Sequence, residues 1–304
     1  MILKHFVDSR QLTPEIIFQL FSTADRVRRE NSERPLSGKI LATLFYEPST
    51  RTRLSFEAAM LRLGGSVLST ENAKDFSSHV KGETIEDTVR VVSAYADAIV
   101  IRHYEEGMAA LASEISKVPI INAGDGKGQH PTQALLDVYT IWREFGRLEG
   151  LKIAIVGDLA QGRTARSLCY ILGKFTGNEI VFLSPNNLKM KDDIKEYLDK
   201  HRVNYSEREN LDEVLPLVDI VYMTRIQKER MTVDEYTNAK GKYIINKNNI
   251  NFLKKSARIL HPLPKIEEIN LPLEIEEKDN RVAYFRQAEN GLYIRMALLI
   301  HLIE

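Results

Sequence analysis

A chain of 304 residues is long enough for two cores of ordinary size, and 43% hydrophobic against 28% charged residues sets it outside the disordered regime. Its 42 Lys and Arg balance 42 Asp and Glu, so the formal charge is zero, which excludes a whole-molecule field suited to nucleic acid. A single cysteine, Cys169, excludes an intrachain disulfide and a cysteine zinc site and fits a reducing cytoplasm.

From the start of the chain, Met1 to Arg10 interrupts its apolar positions with Lys4, His5, Asp8 and Arg10, unlike a secretory signal. No stretch reaches the roughly 18 uninterrupted apolar residues of a membrane span. Short apolar runs then alternate with helical patterns. Strands are predicted at Lys39 to Tyr46, Ala96 to Arg102, Val118 to Asn122, Lys152 to Val156, Glu179 to Ser184, Asp219 to Thr224 and Arg258 to Leu260. Most are apolar on both faces, as parallel strands covered by helices are. The expected fold is α/β, with two doubly wound domains, each a mostly parallel sheet covered by helices. Pro131 to Phe145 reads as one long helix with Pro in its first turn and Gly146 at its C-cap, and Gly150 then precedes a fresh strand. The division is therefore set near this helix, giving domains 1–133 and 134–286. Beyond them, Leu292, Met296, Leu299, Ile300 and Ile303 keep helical spacing, and residues 287–304 are expected to return to the first domain. The acidic stretch Glu267 to Asp279 reads as a solvated face or loop.

Ligands of open α/β sheets bind beyond the carboxyl ends of strands, and several of these ends carry suitable groups. Glu47-Pro48-Ser49-Thr50-Arg51-Thr52-Arg53 precedes a helix whose apolar face is read as Leu54, Ala58 and Leu61, with Ser49 or Thr50 as its cap. Hydroxyls, free amides and Arg51 at a helix start make a phosphate site, although an ordinary cap with solvated arginines explains them equally well. Arg102-His103 ends the next predicted strand. Gly124 to Gly128 then leads to His130-Pro131-Thr132-Gln133, where His130 and Gln133 face one way at a helix start; alone, such a His is more often structural. Gly157 to Thr164 nearly spells a P-loop but puts Arg163 where Lys is required. Arg225 and Gln227 follow another strand, and His261-Pro262-Leu263-Pro264 follows the last. Lys81 lies on the loop Phe76 to Thr84, where it reaches a ligand or is simply solvated. No His, Asp and Glu spacing suggests a metal.

Together these motifs resemble the catalytic chains of the aspartate carbamoyltransferases, in the aspartate/ornithine carbamoyltransferase family. Ser49-Thr50-Arg51-Thr52-Arg53 matches the carbamoyl phosphate signature of both enzymes. His130-Pro131-Thr132-Gln133, His261-Pro262-Leu263-Pro264 and Lys81-Gly82-Glu83-Thr84 match the aspartate enzyme, Cys being typical of the first two motifs in the ornithine enzyme. The resemblance implies transfer of a carbamoyl group from carbamoyl phosphate to L-aspartate, a reaction of pyrimidine biosynthesis, in a cytoplasmic homotrimer without cofactor or metal; binding of a separate regulatory chain is left open by the sequence. It implies phosphate binding by Ser49, Thr50, Arg51 and Thr52, and polarisation of the carbamoyl oxygen by Thr52, Arg102 and His130. Gln133 and the backbone of Pro262 and Leu263 would hold the carbamoyl amide. Arg163, Arg225, Gln227 and Lys81 would bind aspartate, with Ser77 and Lys81 supplied by the adjacent chain. Lys265 departs from a frequent Arg. The alternatives are ornithine as acceptor, a nucleotide-binding switch on residues 157–164, and a non-catalytic relative.

Overall fold

The first long helix forms where the sequence supplies a cap and an apolar face together. In the computed structural model, which describes residues 3–30, 34–73, 81–227 and 232–304, Thr13 caps α1 (Pro14–Arg29) by accepting from the Ile16 amide. Ile16, Ile17, Leu20, Phe21, Ala24 and Val27 form its buried face. The chain divides into one unit of Met1–Tyr139 with Glu289–Glu304 and a second of Thr140–Ala288.

In the first unit β1 (Ile40–Phe45), α2 (Thr50–Arg62), β2 (Ser66–Glu71), α3 (Ile85–Val92), β3 (Ala98–His103), α4 (Met108–Ile115) and β4 (Ile120–Asp125) alternate. Their strands pair in parallel in the order β2-β1-β3-β4. Ala42, Leu44, Ile99, Ile101 and Ile120 pack with Ile85, Val89 and Ala112 of the crossover helices. Helix α5 (Pro131–Phe145) follows β4 and contains the division between units, which falls after Tyr139 and so inside the helix, where the sequence expectation put it at 133/134.

The second unit runs through β5 (Lys152–Val156), α6 (Arg163–Leu172), β6 (Glu179–Leu183), α7 (Asp192–Lys200), β7 (Asn204–Arg208), α8 (Leu211–Val214), β8 (Ile220–Met223) and α9 (Val233–Ala239). It closes with β9 (Ile245–Asn246), β10 (Arg258–Leu260), β11 (Ile269–Asn270) and α10 (Leu273–Lys278). Its main sheet is parallel in the order β10-β8-β5-β6-β7, and β9 pairs with β11. Helix α11 (Tyr284–Ile303) starts three residues before the 287–304 segment read from the sequence. The architecture is the α/β fold of two parallel-sheet domains read from the sequence. Among the described residues no helix is long and apolar enough to cross a membrane.

Three expectations are corrected. Strands β2 and β7 are polar and mostly exposed edge strands, so no apolar run announced them. The buried face of α2 is Thr52, Phe56, Ala59 and Met60, while Leu54 and Leu61 are exposed. Part of the acidic stretch is structured: it contains β11 and α10, and Glu268 is buried.

One carboxylate holds three elements of the second unit. Glu144, near the end of α5, accepts from Arg258 Nε on β10 at 2.5 Å and from Arg286 Nε on α11 at 2.8 Å. Burial would raise its carboxyl, but the bonds from Arg286 and Arg258 outweigh burial and hold it below the usual range. A depressed carboxylate contributes stability above its unfolded pKa of about 4.3, and that contribution fades as pH falls through the lower folded value. Glu144→Gln is therefore expected to cost about 1–3 kcal/mol at pH 7, with the gap in urea midpoints narrowing towards pH 4 and below. A gap constant over that range refutes the assignment.

Candidate active site

Parallel pairing sets the carboxyl ends of β1, β3 and β4 side by side on one edge of the first sheet. Beyond β1, Ser49 occupies the N-cap position of α2 in an extended conformation, but its hydroxyl makes no capping bond. The capping role expected for Ser49 or Thr50 is thus not taken up by a side chain, and the first-turn amides keep their anion-binding character. Thr50 and Arg51 are exposed, and Thr52 is buried. Arg53, two residues on, bonds Glu57 and Ser69 at 3.2 Å and Glu71 at 2.8 Å, so it braces β2.

Arg102, the last but one residue of β3, lies opposite Phe45. Its guanidinium pairs with Glu47 at 2.8 Å and donates to the Ala123 carbonyl at 3.3 Å, while its own carbonyl accepts from Tyr46 N at 2.8 Å. Three strand ends meet on this one side chain. At the end of β4 the Asp125 carboxylate accepts from the amides of Gly107 and Gln129 and from the Asn122 side chain, at 3.0–3.1 Å, which shapes the turn delivering His130. The His130 carbonyl accepts from the amides of Gln133 and Ala134, so His130 opens α5, and its Nδ1 lies 3.4 Å from the Thr132 hydroxyl. His130 and Gln133 are both buried. Lys81 is exposed ahead of Thr84, which caps α3. Ser77 lies outside the described residues.

In the second unit the ends of β10, β8 and β5 are neighbours in the same way. Asp158, after β5, is fully buried; it accepts from the Gln161 amide at 2.9 Å and from Gln227 Nε2 at 3.5 Å. Arg163 is buried at the start of α6, and Arg225 is half-buried after β8. After β10 the Leu263 amide donates to His261 Nδ1 at 2.8 Å. That bond puts the ring proton on Nε2, which donates to Glu268 at 2.8 Å. Burial would raise the Glu268 carboxyl; the bond from His261 and those from nearby amides bring it below its ordinary value. Leu263, at φ +53, is held in the left-handed region by these partners. Lys265 pairs with Glu276 at 2.7 Å inside the same unit.

The structure thus brings Ser49 to Thr52, Arg102, His130 and Gln133 to one sheet edge, and Arg163, Arg225, Gln227, Pro262 and Leu263 to the corresponding edge of the other. Sequence reasoning passed over Glu47, Asp158 and Glu268. Glu47 had a signal, a carboxylate at a strand end beside an arginine-rich turn; Glu268 was hidden in an acidic run.

Two family models match consecutive parts of the chain: the carbamoyl-P binding domain of aspartate/ornithine carbamoyltransferase over residues 4–143, and the Asp/Orn binding domain over residues 149–302. The chloroplastic aspartate carbamoyltransferase 2 of Pisum sativum is 54% identical over 299 residues, 96% of this chain and 77% of the pea protein. The catalytic subunit of M. jannaschii aspartate transcarbamoylase has a TM-score of 0.90 at 47% identity, covering 99% of this chain and 98% of that one. The Trypanosoma cruzi aspartate transcarbamoylase, solved in complex with carbamoyl phosphate and aspartate, has a TM-score of 0.92 at 36% identity, covering 99% and 97%.

The glycines of the P-loop-like run have a packing role. Gly157, at φ +117, lies so close to β8 that a Cβ would overlap the Thr224 carbonyl oxygen, and one on Gly162 would overlap that of Asp158. Gly157→Ala is expected to lose about 2–4 kcal/mol, from the forced conformation and the clash together. A urea midpoint within about 0.5 kcal/mol of wild type would show the close approach to be dispensable.

Proposed function

The chain belongs to the aspartate/ornithine carbamoyltransferase family, and we infer that it transfers the carbamoyl group of carbamoyl phosphate to the amine of L-aspartate, giving N-carbamoyl-L-aspartate and phosphate for pyrimidine biosynthesis. The observation that carries this reading is the edge of the first sheet, where an uncapped helix start rich in hydroxyls adjoins Arg102 and His130. Aspartate is favoured over ornithine by relatives bearing the aspartate enzyme's name across nearly the whole chain.

The chemistry follows from the residue types. Ser49, Thr50, Arg51 and Thr52 bind the phosphate at the start of α2. Arg102 exchanges its pairing with Glu47 for the incoming substrate. Thr52, Arg102 and His130 donate to the carbamoyl oxygen, and Gln133 and the carbonyls of Pro262 and Leu263 accept from its amide. Arg163, Arg225, Gln227 and Lys81 bind the aspartate carboxylates. The aspartate amine attacks the carbamoyl carbon and forms the C–N bond; the resulting oxyanion collapses, the C–O bond to phosphate breaks, and the departing phosphate takes the amine proton. Donors fixed at the oxyanion are usually the largest catalytic contribution. No enzyme carboxylate is needed as a base. The working assembly is a cytoplasmic homotrimer, in which Ser77 and Lys81 serve the neighbouring chain's site and to which a separate regulatory chain can dock.

Formation of carbamoyl-aspartate from carbamoyl phosphate and aspartate, and its absence when ornithine replaces aspartate, is the deciding assay; product from ornithine alone would overturn the reading. In that assay His130→Ala should fold normally and lower turnover on the order of 10²-fold or more, and undiminished turnover at saturating substrates removes His130 from the mechanism. Mixing inactive Lys81→Ala chains with inactive Arg51→Ala chains should restore part of the activity, since some sites in mixed trimers are intact. Mixed assemblies that form and remain inactive would exclude shared sites.

A further inference from the structure

Gln133 has a partner that decides which end of its amide is presented. Its Nε2 donates to Asp137 Oδ1 at 2.8 Å, one turn further along α5, and Asp137 is fully buried. An ionised carboxylate only accepts hydrogen bonds, so it holds the NH2 end of a glutamine and turns the oxygen the other way. A buried cation interacts with the Asp137 carboxylate. Arg295 comes from α11 and is 4% exposed, its guanidinium 5.1 Å from the Phe56 ring centre, and it interacts electrostatically with Asp137. Burial draws the Arg295 guanidinium down, to about 10, against the pull of Asp137, so it is still a cation at neutral pH. An i to i+4 pair on a helix is commonly worth little at a surface, but here both members are buried, out of competition with water.

We propose that Asp137 is a positioning residue that fixes Gln133 as a hydrogen-bond acceptor and thereby makes the site select an acyl phosphate with an N–H group over one with a methyl in its place. This rests on the carbamoyl transfer inferred above. A glutamine free to turn would offer NH2 to the substrate's NH2 half of the time, two donors facing each other. Pinned, it offers only the oxygen. An analogue with a methyl group leaves that buried oxygen without a donor, and sites built to bond an N–H reject such analogues strongly.

Acetyl phosphate is the probe, because it replaces the carbamoyl NH2 by CH3 and keeps the phosphate. The quantity read is the inhibition constant of acetyl phosphate divided by the KM for carbamoyl phosphate. Asp137→Asn is expected to lower this ratio about tenfold or more while the acetyl phosphate constant itself stays within about twofold. If Asp137 only neutralises Arg295, both constants move together and the ratio stays at its wild-type value, which overturns the proposal. Should Asp137→Asn fail to fold with Arg295 left without its counter-charge, the pair Asp137→Asn with Arg295→Met removes both charges and is read in the same way. Gln133→Ala alone should also abolish the preference, and adding Asp137→Asn to it should change the ratio no further; an independent second loss counts against coupling. Wild type that makes no carbamoyl-aspartate refutes the transferase reading, whereas active wild type with an unmoved ratio in the variants refutes only the role of Asp137.

Discussion

Parallel pairing sends the carboxyl end of every strand to the same edge of its sheet, and the chemistry of this chain depends on that constraint. Glu47, Arg102 and the turn leading to His130 are far apart in sequence but lie at the carboxyl ends of β1, β3 and β4, three adjacent strands. Once the strands pair, nothing else is needed to gather them. Arg102 then binds the three ends into one piece, through Glu47, the Ala123 carbonyl and the Tyr46 amide. The second sheet repeats the device with the ends of β5, β8 and β10.

Gathering polar groups at a buried edge has a cost, since each must find a partner or lose the solvation it had in water. The chain meets that cost with carboxylates that bond the groups proposed to face substrate or the turns that carry them. Asp125 takes up the amides of the turn before His130. Asp137 holds Gln133, and Glu268 holds His261, whose other nitrogen receives the Leu263 amide. In the last two cases an acceptor fixes the direction of a group that could donate or accept. Orientation at such sites is worth as much as charge, because a donor turned away from a developing oxyanion contributes nothing to it.

That supporting layer is also what the sequence concealed. The strands of both sheet interiors were legible because burial on two faces demands apolar runs, as in Lys152 to Val156 and Ile220 to Met223. Edge strands β2 and β7 face solvent and so carry no such signature. The groups proposed to face substrate were legible through motifs, whose residue types are dictated by the ligand. Their partners were not. Nothing local distinguishes Glu268 from the acidic residues around it, because its partner, His261, is defined by a turn of the chain. Arg51 and Arg53 read alike in the motif; only the fold turns Arg53 to Glu57 and Glu71. Leu54 and Leu61 misled for the complementary reason: helical spacing locates an apolar face without telling whether this chain covers it.

The same distinction resolves the zero net charge. A neutral sum argues against a general attraction for polyanions, and it holds for the surface as a whole. Locally the cations are sorted by their partners. Arg53, Arg258, Arg281 and Arg286 are matched by carboxylates within hydrogen-bond distance and serve the fold. Arg102 is matched too, but by Glu47 at a strand end, where on the proposed reading the carbamoyl oxygen of the substrate takes over from it. An arginine held by a replaceable partner is pre-positioned without being neutralised for good, so on that reading an anionic substrate would meet a guanidinium already in place and displace a carboxylate that can return to water.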